Sequence, residues 1–253
     1  MALCEMHIYS EALGMQTTVF VAIPQKSTGG EIGVENNAGN EKYKCLYLLH
    51  GLSDDHSIWL RRTSIERYAG DYGLCVVMPC GGRSFYTDMK YGENYYTYIS
   101  KELPRVMQEF FNVSDKREDN YIAGLSMGGY GALKIGMKNC DKFSKAAGLS
   151  SVADIQAAAS LFPDVYVPIF GESMEVPDSE NLFKIAEETD KNPLKPSIFM
   201  GVGTEDMLYN GNILLRDIFE SLDYDFTYRE SAGNHNWEFW DEYIQYVLKW
   251  LVG

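Results

Sequence analysis

An α/β fold built on a mostly parallel eight-stranded sheet with helices on both faces is predicted by two features of the sequence. Short apolar, β-branched segments recur along the chain with stretches of helical periodicity between most of them, the pattern of strands joined by crossover helices. The 253 residues, 45% hydrophobic and 23% charged, are also enough to bury a large core, so one domain spanning 1–253 is expected. Strands are expected at residues 6–9, 17–23, 45–50, 74–78, 121–124, 146–149, 198–201 and 226–229. The first two lie close enough to pair as a hairpin around Gly14. Residues 27–41, rich in Gly, Asn and Glu, read as a long exposed loop. Helices are expected at 65–72, 95–111, 128–138, 181–188, 213–222 and 237–251. Residues 154–195 hold four of the eight prolines and are expected to form a cap-like excursion over the C-terminal edge of the sheet.

Charge and cysteine usage narrow the functional classes. A formal charge of −14 repels phosphate backbones and anionic lipid, so neither nucleic acid nor a membrane is an expected partner. No apolar run reaches membrane-spanning length. The five cysteines form an odd set with no C-x-x-C pair, which indicates neither a disulfide framework nor a zinc site. The N-terminal stretch has no basic n-region, and Glu5 and Glu11 interrupt it, so a cytoplasmic protein is expected. A homo-oligomer is left open.

The chemistry is announced by Gly124-Leu125-Ser126-Met127-Gly128, a G-x-S-x-G match lying between an expected strand and an expected helix. A tight strand-to-helix turn strains the serine backbone, and glycines two residues to either side let strand and helix approach. Ser126 is therefore the expected nucleophile. The plainer reading makes Ser126 a helix N-cap, but an N-cap needs neither Gly124 nor an apolar strand before it.

A serine hydroxyl needs a base within hydrogen-bond reach and a group to orient that base. Of the four histidines only His235 lies downstream of Ser126, in the loop before the last helix, and it is the expected base. The acid should follow a strand, and Gly203-Thr204-Glu205-Asp206 offers two carboxylates; Asp206 is the first choice and Glu205 the alternative. Backbone donors for an oxyanion are expected at Leu52, after His50-Gly51, and at Met127, with Gly51 as an extra candidate. His50, which ends a buried strand, reads as structural. Trp59, Tyr95 and Trp237 are expected to line the substrate pocket, though any of these aromatics could equally be core.

Leu49-His50-Gly51-Leu52 with Trp59, the Gly124–Gly129 turn, Gly203–Asp206, and His235-Asn236-Trp237 with Trp240 together resemble the Putative esterase family of α/β-hydrolases. That family includes tributyrin, feruloyl and acetylxylan esterases, S-formylglutathione hydrolases and mycolyltransferases. The chain looks closest to the small bacterial tributyrin esterases, and the likeness spans nearly its whole length. The resemblance implies an α/β-hydrolase fold with Ser126, Asp206 and His235 as a triad and Leu52 and Met127 at an oxyanion hole. It implies a serine carboxylesterase acting on short acyl esters, acetyl to butyryl, with feruloyl or acetylated sugar esters also in range. No metal or cofactor is required. S-formylglutathione hydrolases usually carry His-Ser-Tyr where His235-Asn236-Trp237 stands, which makes glutathione thioesters a weaker expectation. Acyl transfer and a catalytically silent binding module are the alternatives.

Overall fold

In the computed structural model, which describes residues 1–25 and 42–253, eight strands form one sheet. They are β1 (Ala2–Ser10), β2 (Met15–Ile23), β3 (Cys45–Leu49), β4 (Cys75–Pro79), β5 (Asn120–Leu125), β6 (Lys145–Leu149), β7 (Ser197–Gly203) and β8 (Phe226–Ser231). Their order across the sheet is β1-β2-β4-β3-β5-β6-β7-β8. From β3 to β8 the pairings are parallel, while β1 and β2 form an antiparallel hairpin joined to β4. The chain has the α/β-hydrolase fold expected from its motifs. The loop expected at 27–41 lies outside the described residues.

β3, β4 and β5 are buried along their whole length because they carry apolar side chains toward both faces. Alternation then divides the core into two layers. Tyr47, Leu49 and Ile122 pack on one face, and Leu46, Leu48, Tyr121 and Ala123 on the other.

The helices are α1 (Ile58–Arg62), α2 (Ile65–Gly70), α3 (Tyr95–Thr97), α4 (Leu103–Phe110), α5 (Met127–Lys138), α6 (Ile155–Ala158), α7 (Pro163–Phe170), α8 (Leu182–Thr189), α9 (Tyr209–Ser221) and α10 (Trp237–Val252). Helix α5 supplies Tyr130, Leu133 and Ile135 to the first layer, while α1, α2 and α10 cover the second with Trp59, Ile65 and Ile244. Among the described residues no helix is long and apolar enough to cross a membrane.

Several expected boundaries shift, each for a physical reason. β1 begins four residues earlier than its apolar pattern suggests, because it is an edge strand whose alternate residues face solvent. The helix expected at 95–111 is interrupted by a π-helical turn at Tyr98–Glu102. Pro104 has no N–H for the Ser100 carbonyl four residues before it, and that carbonyl accepts a hydrogen bond from Lys142 Nζ instead at 2.9 Å. The five-residue helix α1 was not expected, since Ile58 and Trp59 alone carry too little periodicity to show.

Between β6 and β7 the chain forms α6, α7, a 3₁₀ turn at Asp178–Glu180 and α8. A buried ion pair pins this excursion to α5. Lys134 Nζ donates to Glu180 Oε2 at 2.6 Å, to Thr87 Oγ1 at 2.7 Å and to the Phe85 carbonyl at 3.2 Å, so its three protons are all used. Lys138 reaches the other Glu180 oxygen at 3.2 Å, and Tyr130 donates to the Glu180 carbonyl at 2.7 Å. Burial lowers the Lys134 pKa to about 8 against the pull of Glu180. Burial pushes Glu180 upward, but Lys134 and Lys138 overcome it and hold the carboxyl below its usual value. Both groups are therefore ionised at neutral pH.

Two stability predictions follow from these contacts. A Cβ on Gly128 would sit 2.5 Å from the Leu49 carbonyl oxygen and 2.6 Å from that of His50, so neither strand nor helix can yield. Gly128→Ala should cost about 1–3 kcal/mol and lower Tm by roughly 3–10 °C in a thermal melt. Glu180→Gln leaves the Lys134 ammonium buried without a counter-charge and should cost about 3–5 kcal/mol in denaturant titrations at pH 7. The Lys134 pKa of about 8 is held up by Glu180, so in the variant it falls below that value, and the deficit narrows as the pH rises toward about 8 and the unpaired amine sheds its proton.

Candidate active site

The turn between β5 and α5 holds Ser126 at φ 54°, ψ −117°, in the left-handed region that a side chain disfavours. Such strain costs about 1–3 kcal/mol and persists only where the surroundings over-determine it. Here Ser126 N–H donates to the Leu149 carbonyl at 2.8 Å, and its own carbonyl accepts from Tyr130 N–H at 3.1 Å and Val152 N–H at 3.2 Å. Gly124 and Gly128 make the turn sterically feasible. A Cβ on Gly124 would strike the Gly128 carbonyl, and one on Gly128 would strike β3.

The structure brings Ser126, His235 and Asp206 together. His235 Nε2 lies 3.0 Å from Ser126 Oγ, and Nδ1 lies 3.0 and 2.9 Å from the two oxygens of Asp206. Asp206 is 5% exposed, and its Oδ1 also accepts from Leu208 N–H at 2.8 Å. Burial works against its charge, but the bonds from His235 and Leu208 prevail and hold its carboxyl below the usual carboxylate range. Glu205, the alternative acid, points elsewhere: it accepts from Gly233 N–H at 2.8 Å, while its own N–H donates to the Gly233 carbonyl at 3.0 Å. It thereby fixes the loop that carries His235.

Three tryptophan rings continue the line from the imidazole into the core. Trp240 stands edge-on to His235 with centroids 4.9 Å apart, Trp237 stands edge-on to Trp240 at 5.2 Å, and Trp59 to Trp237 at 5.2 Å. Trp59 ends the line by donating its indole N–H to the Leu49 carbonyl at 3.1 Å.

A cavity of about 620 Å³ opens over Ser126 and His235. Its walls are mainly apolar, with Leu52, Phe85, Val152, Leu161, Phe162 and Met207 among them, and Asp54 and Arg83 as charged members. Trp237 lines it as expected from the sequence, but Trp59 and Tyr95 do not. Trp59 is 1% exposed behind Trp237, and Tyr95 is 8% exposed with its hydroxyl facing Gly82. Their large apolar area is buried in packing, so the sequence-based placement of these two in the pocket wall is corrected. Leu161, Phe162 and Met207 escaped the sequence reading because they come from loops and short helices without periodicity.

Leu52 and Met127 both border Ser126. Neither N–H has a protein acceptor among the described residues, and Met127 is the first residue of α5, where an N–H has no intrahelical partner. His50 is buried, with both ring nitrogens hydrogen-bonded to backbone. Among the described residues no group of three or more His, Cys, Asp or Glu side chains could hold a metal ion.

Known proteins with this arrangement are serine hydrolases. A model of the family described as "Putative esterase" matches residues 10–251. An acetyl esterase of Caldicellulosiruptor saccharolyticus is 30% identical over 99% of this chain and 98% of its own. A substrate-bound fluorophosphonate-binding serine hydrolase of Staphylococcus aureus superposes with TM-score 0.89 at 31% identity, covering 100% of this chain and 98% of that one. An S-formylglutathione hydrolase of the same organism superposes with TM-score 0.86 at 31% identity, over 100% and 99% of the two chains. With its strained serine, its bridging imidazole and a family match from one end of the sheet to the other, this chain belongs to the Putative esterase family of serine hydrolases.

Proposed function

We propose that the protein is a carboxylesterase that cleaves short-chain acyl esters, acetyl to butyryl, through an acyl-Ser126 intermediate. The observation that carries this reading is the single imidazole reaching both the Ser126 hydroxyl and the Asp206 carboxylate. Asp206 accepts a hydrogen bond from Nδ1–H, which keeps the proton on Nδ1 and leaves Nε2 as the free base facing Ser126 Oγ. Nε2 takes the hydroxyl proton as Oγ bonds to the ester carbonyl carbon. The carbonyl oxygen gains the negative charge and is met by the N–H groups of Leu52 and Met127. The imidazolium then returns the proton to the departing alcohol oxygen as that C–O bond breaks. Water repeats the sequence on the acyl-serine, releasing the acid and the original hydroxyl.

Substrate class follows from the cavity and the relatives. The kinship to an acetyl esterase supports a small acyl group. An apolar cavity of about 620 Å³ leaves room beside it for a larger alcohol, a sugar or an aryl group, against Trp237, Phe162 and Met207. The five cysteines are all free thiols, which supports a reducing, cytoplasmic setting.

Ser126→Ala should lower turnover of p-nitrophenyl acetate by at least about 10⁴-fold and abolish fluorophosphonate labelling, with an unchanged circular dichroism spectrum. Turnover at the unaltered rate would reject the assignment. Asp206→Asn keeps the shape but permits the wrong imidazole tautomer; steady-state kinetics should show a fall in kcat on the order of 10⁴-fold, with KM changed by less than about threefold. Across p-nitrophenyl acetate, butyrate and octanoate, kcat/KM should be highest for the two shorter esters. A maximum at octanoate would overturn the short-chain claim.

A further inference from the structure

His50 ends β3, and its ring is 1% exposed, yet both of its nitrogens are engaged by backbone. Gly81 N–H approaches Nε2 at 2.8 Å, and a backbone N–H can only donate, so Nε2 is the unprotonated nitrogen. The ring proton therefore sits on Nδ1 and is donated to the Gly51 carbonyl at 2.7 Å. Burial lowers the His50 pKa to about 4, which keeps this one-donor, one-acceptor form in place at neutral pH. Tyr86 secures the residue from the other side, donating its hydroxyl to the His50 carbonyl at 2.9 Å.

The consequence lies one bond further along. The peptide unit is planar and trans, so its C=O and N–H point in opposite directions. The Gly51 carbonyl and the Leu52 N–H are the two ends of one such unit. Whatever fixes the carbonyl also aims the N–H. Among the described residues the carbonyl receives, apart from His50, only a longer bond from Asp54 N–H, at 3.3 Å.

Gly51 is where the backbone most needs such a hold. A Cβ there would meet Leu125 Cδ1 at 2.8 Å and Asp54 Oδ2 at 3.0 Å, and would stand 3.8 Å from Ser126 Cβ. Space beside Ser126 thus favours glycine, the residue whose backbone turns most freely. A donor that drifts by even about 1 Å loses much of its value to a developing charge.

The geometry points to His50 as a positioning residue for the oxyanion: it ties the Gly51 carbonyl to the fixed Gly81 N–H and so holds the Leu52 N–H toward the Ser126 addition site. This rests on the esterase reading above. His50 touches no substrate atom, and its effect is carried wholly by the Gly51-Leu52 peptide.

Two measurements test it. In the unaltered protein labelled with ¹⁵N-histidine, His50 should show a protonated Nδ1 and an unprotonated Nε2 at pH 7; the reverse tautomer overturns the proposal even if no variant folds. Among variants, His50→Gln can keep the acceptor for Gly81 but has no donor at the Nδ1 position, whereas His50→Asn places an amide N–H there. Rates are taken per site labelled by fluorophosphonate, so unfolded protein drops out. His50→Gln should lower kcat for p-nitrophenyl acetate by about 10–100-fold with KM within about threefold. Affinity for a trifluoromethyl ketone, whose Ser126 adduct bears an oxyanion, should fall in parallel, and His50→Asn should recover at least about tenfold of the loss. An unchanged kcat in His50→Gln, a kcat loss without a loss of ketone affinity, or equal loss in both variants overturns the proposal. Failure of the unaltered protein to label at Ser126 or to turn over ester would instead overturn the esterase reading itself.

Discussion

The contact on which this molecule depends is the bare backbone of Gly128 against the Leu49 and His50 carbonyls at the end of β3. With no side chain in that gap, α5 starts immediately behind the sheet, and the chain leaving β5 must turn within one residue. That residue is Ser126, held at φ 54° by bonds to Leu149, Tyr130 and Val152. The same closeness sets the start of α5 at Met127, whose N–H is left free, beside the loop that begins at Gly51. The places of Ser126 and of the Met127 N–H, proposed above as nucleophile and oxyanion donor, thus follow from one close approach.

Parallel register carries that order across the sheet. Leu49 lies opposite Gly124, Leu125 opposite Leu149, and Leu149 opposite Gly201, so β3, β5, β6 and β7 all end at one edge. The loops bearing Leu52, Ser126 and Asp206 leave from that edge, and His235 joins them from the loop after β8. Rigid strands hold Ser126 and His235 together although 109 positions separate them. The line of tryptophans from His235 back to the Leu49 carbonyl ties the loop bearing His235 to β3, the strand that leads into Gly51 and Leu52.

The excursion between β6 and β7 adds a wall to the cavity at this edge. It contributes Leu161 and Phe162 to the cavity while the Lys134–Glu180 pair holds its far end against α5. A buried ion pair is a poor source of net stability, because two desolvated charges must first be repaid. Its effect here is directional: each buried charge is satisfied where it meets the other, and the pair ties the 3₁₀ turn of the excursion to α5.

Local chemistry made much of this legible in advance. The strands were readable because β3, β5 and β7 are short apolar runs, and the nucleophile because Gly124 and Gly128 have no other reason to flank a serine between strand and helix. His235 was found by position, as the histidine downstream of Ser126, and Asp206 by its place after β7. Which of Glu205 and Asp206 meets the imidazole was not readable, since adjacent carboxylates differ only in where a folded turn aims them. Trp59 and Tyr95 were misplaced for a related reason: an aromatic ring packs a core or lines a pocket equally well, and only the surrounding atoms decide. The clamp formed by His50 was invisible as well, because its partner Gly81 is 31 positions away and the bond exists only once β3 and β4 lie side by side. Sequence by itself determined the fold class and pointed to Ser126 and His235 as candidate nucleophile and base, because periodicity and turn sterics act over a few residues. Tertiary structure alone decided the acid, the pocket and the oxyanion clamp, because each is a hydrogen bond or a contact between groups that the chain brings together only when folded.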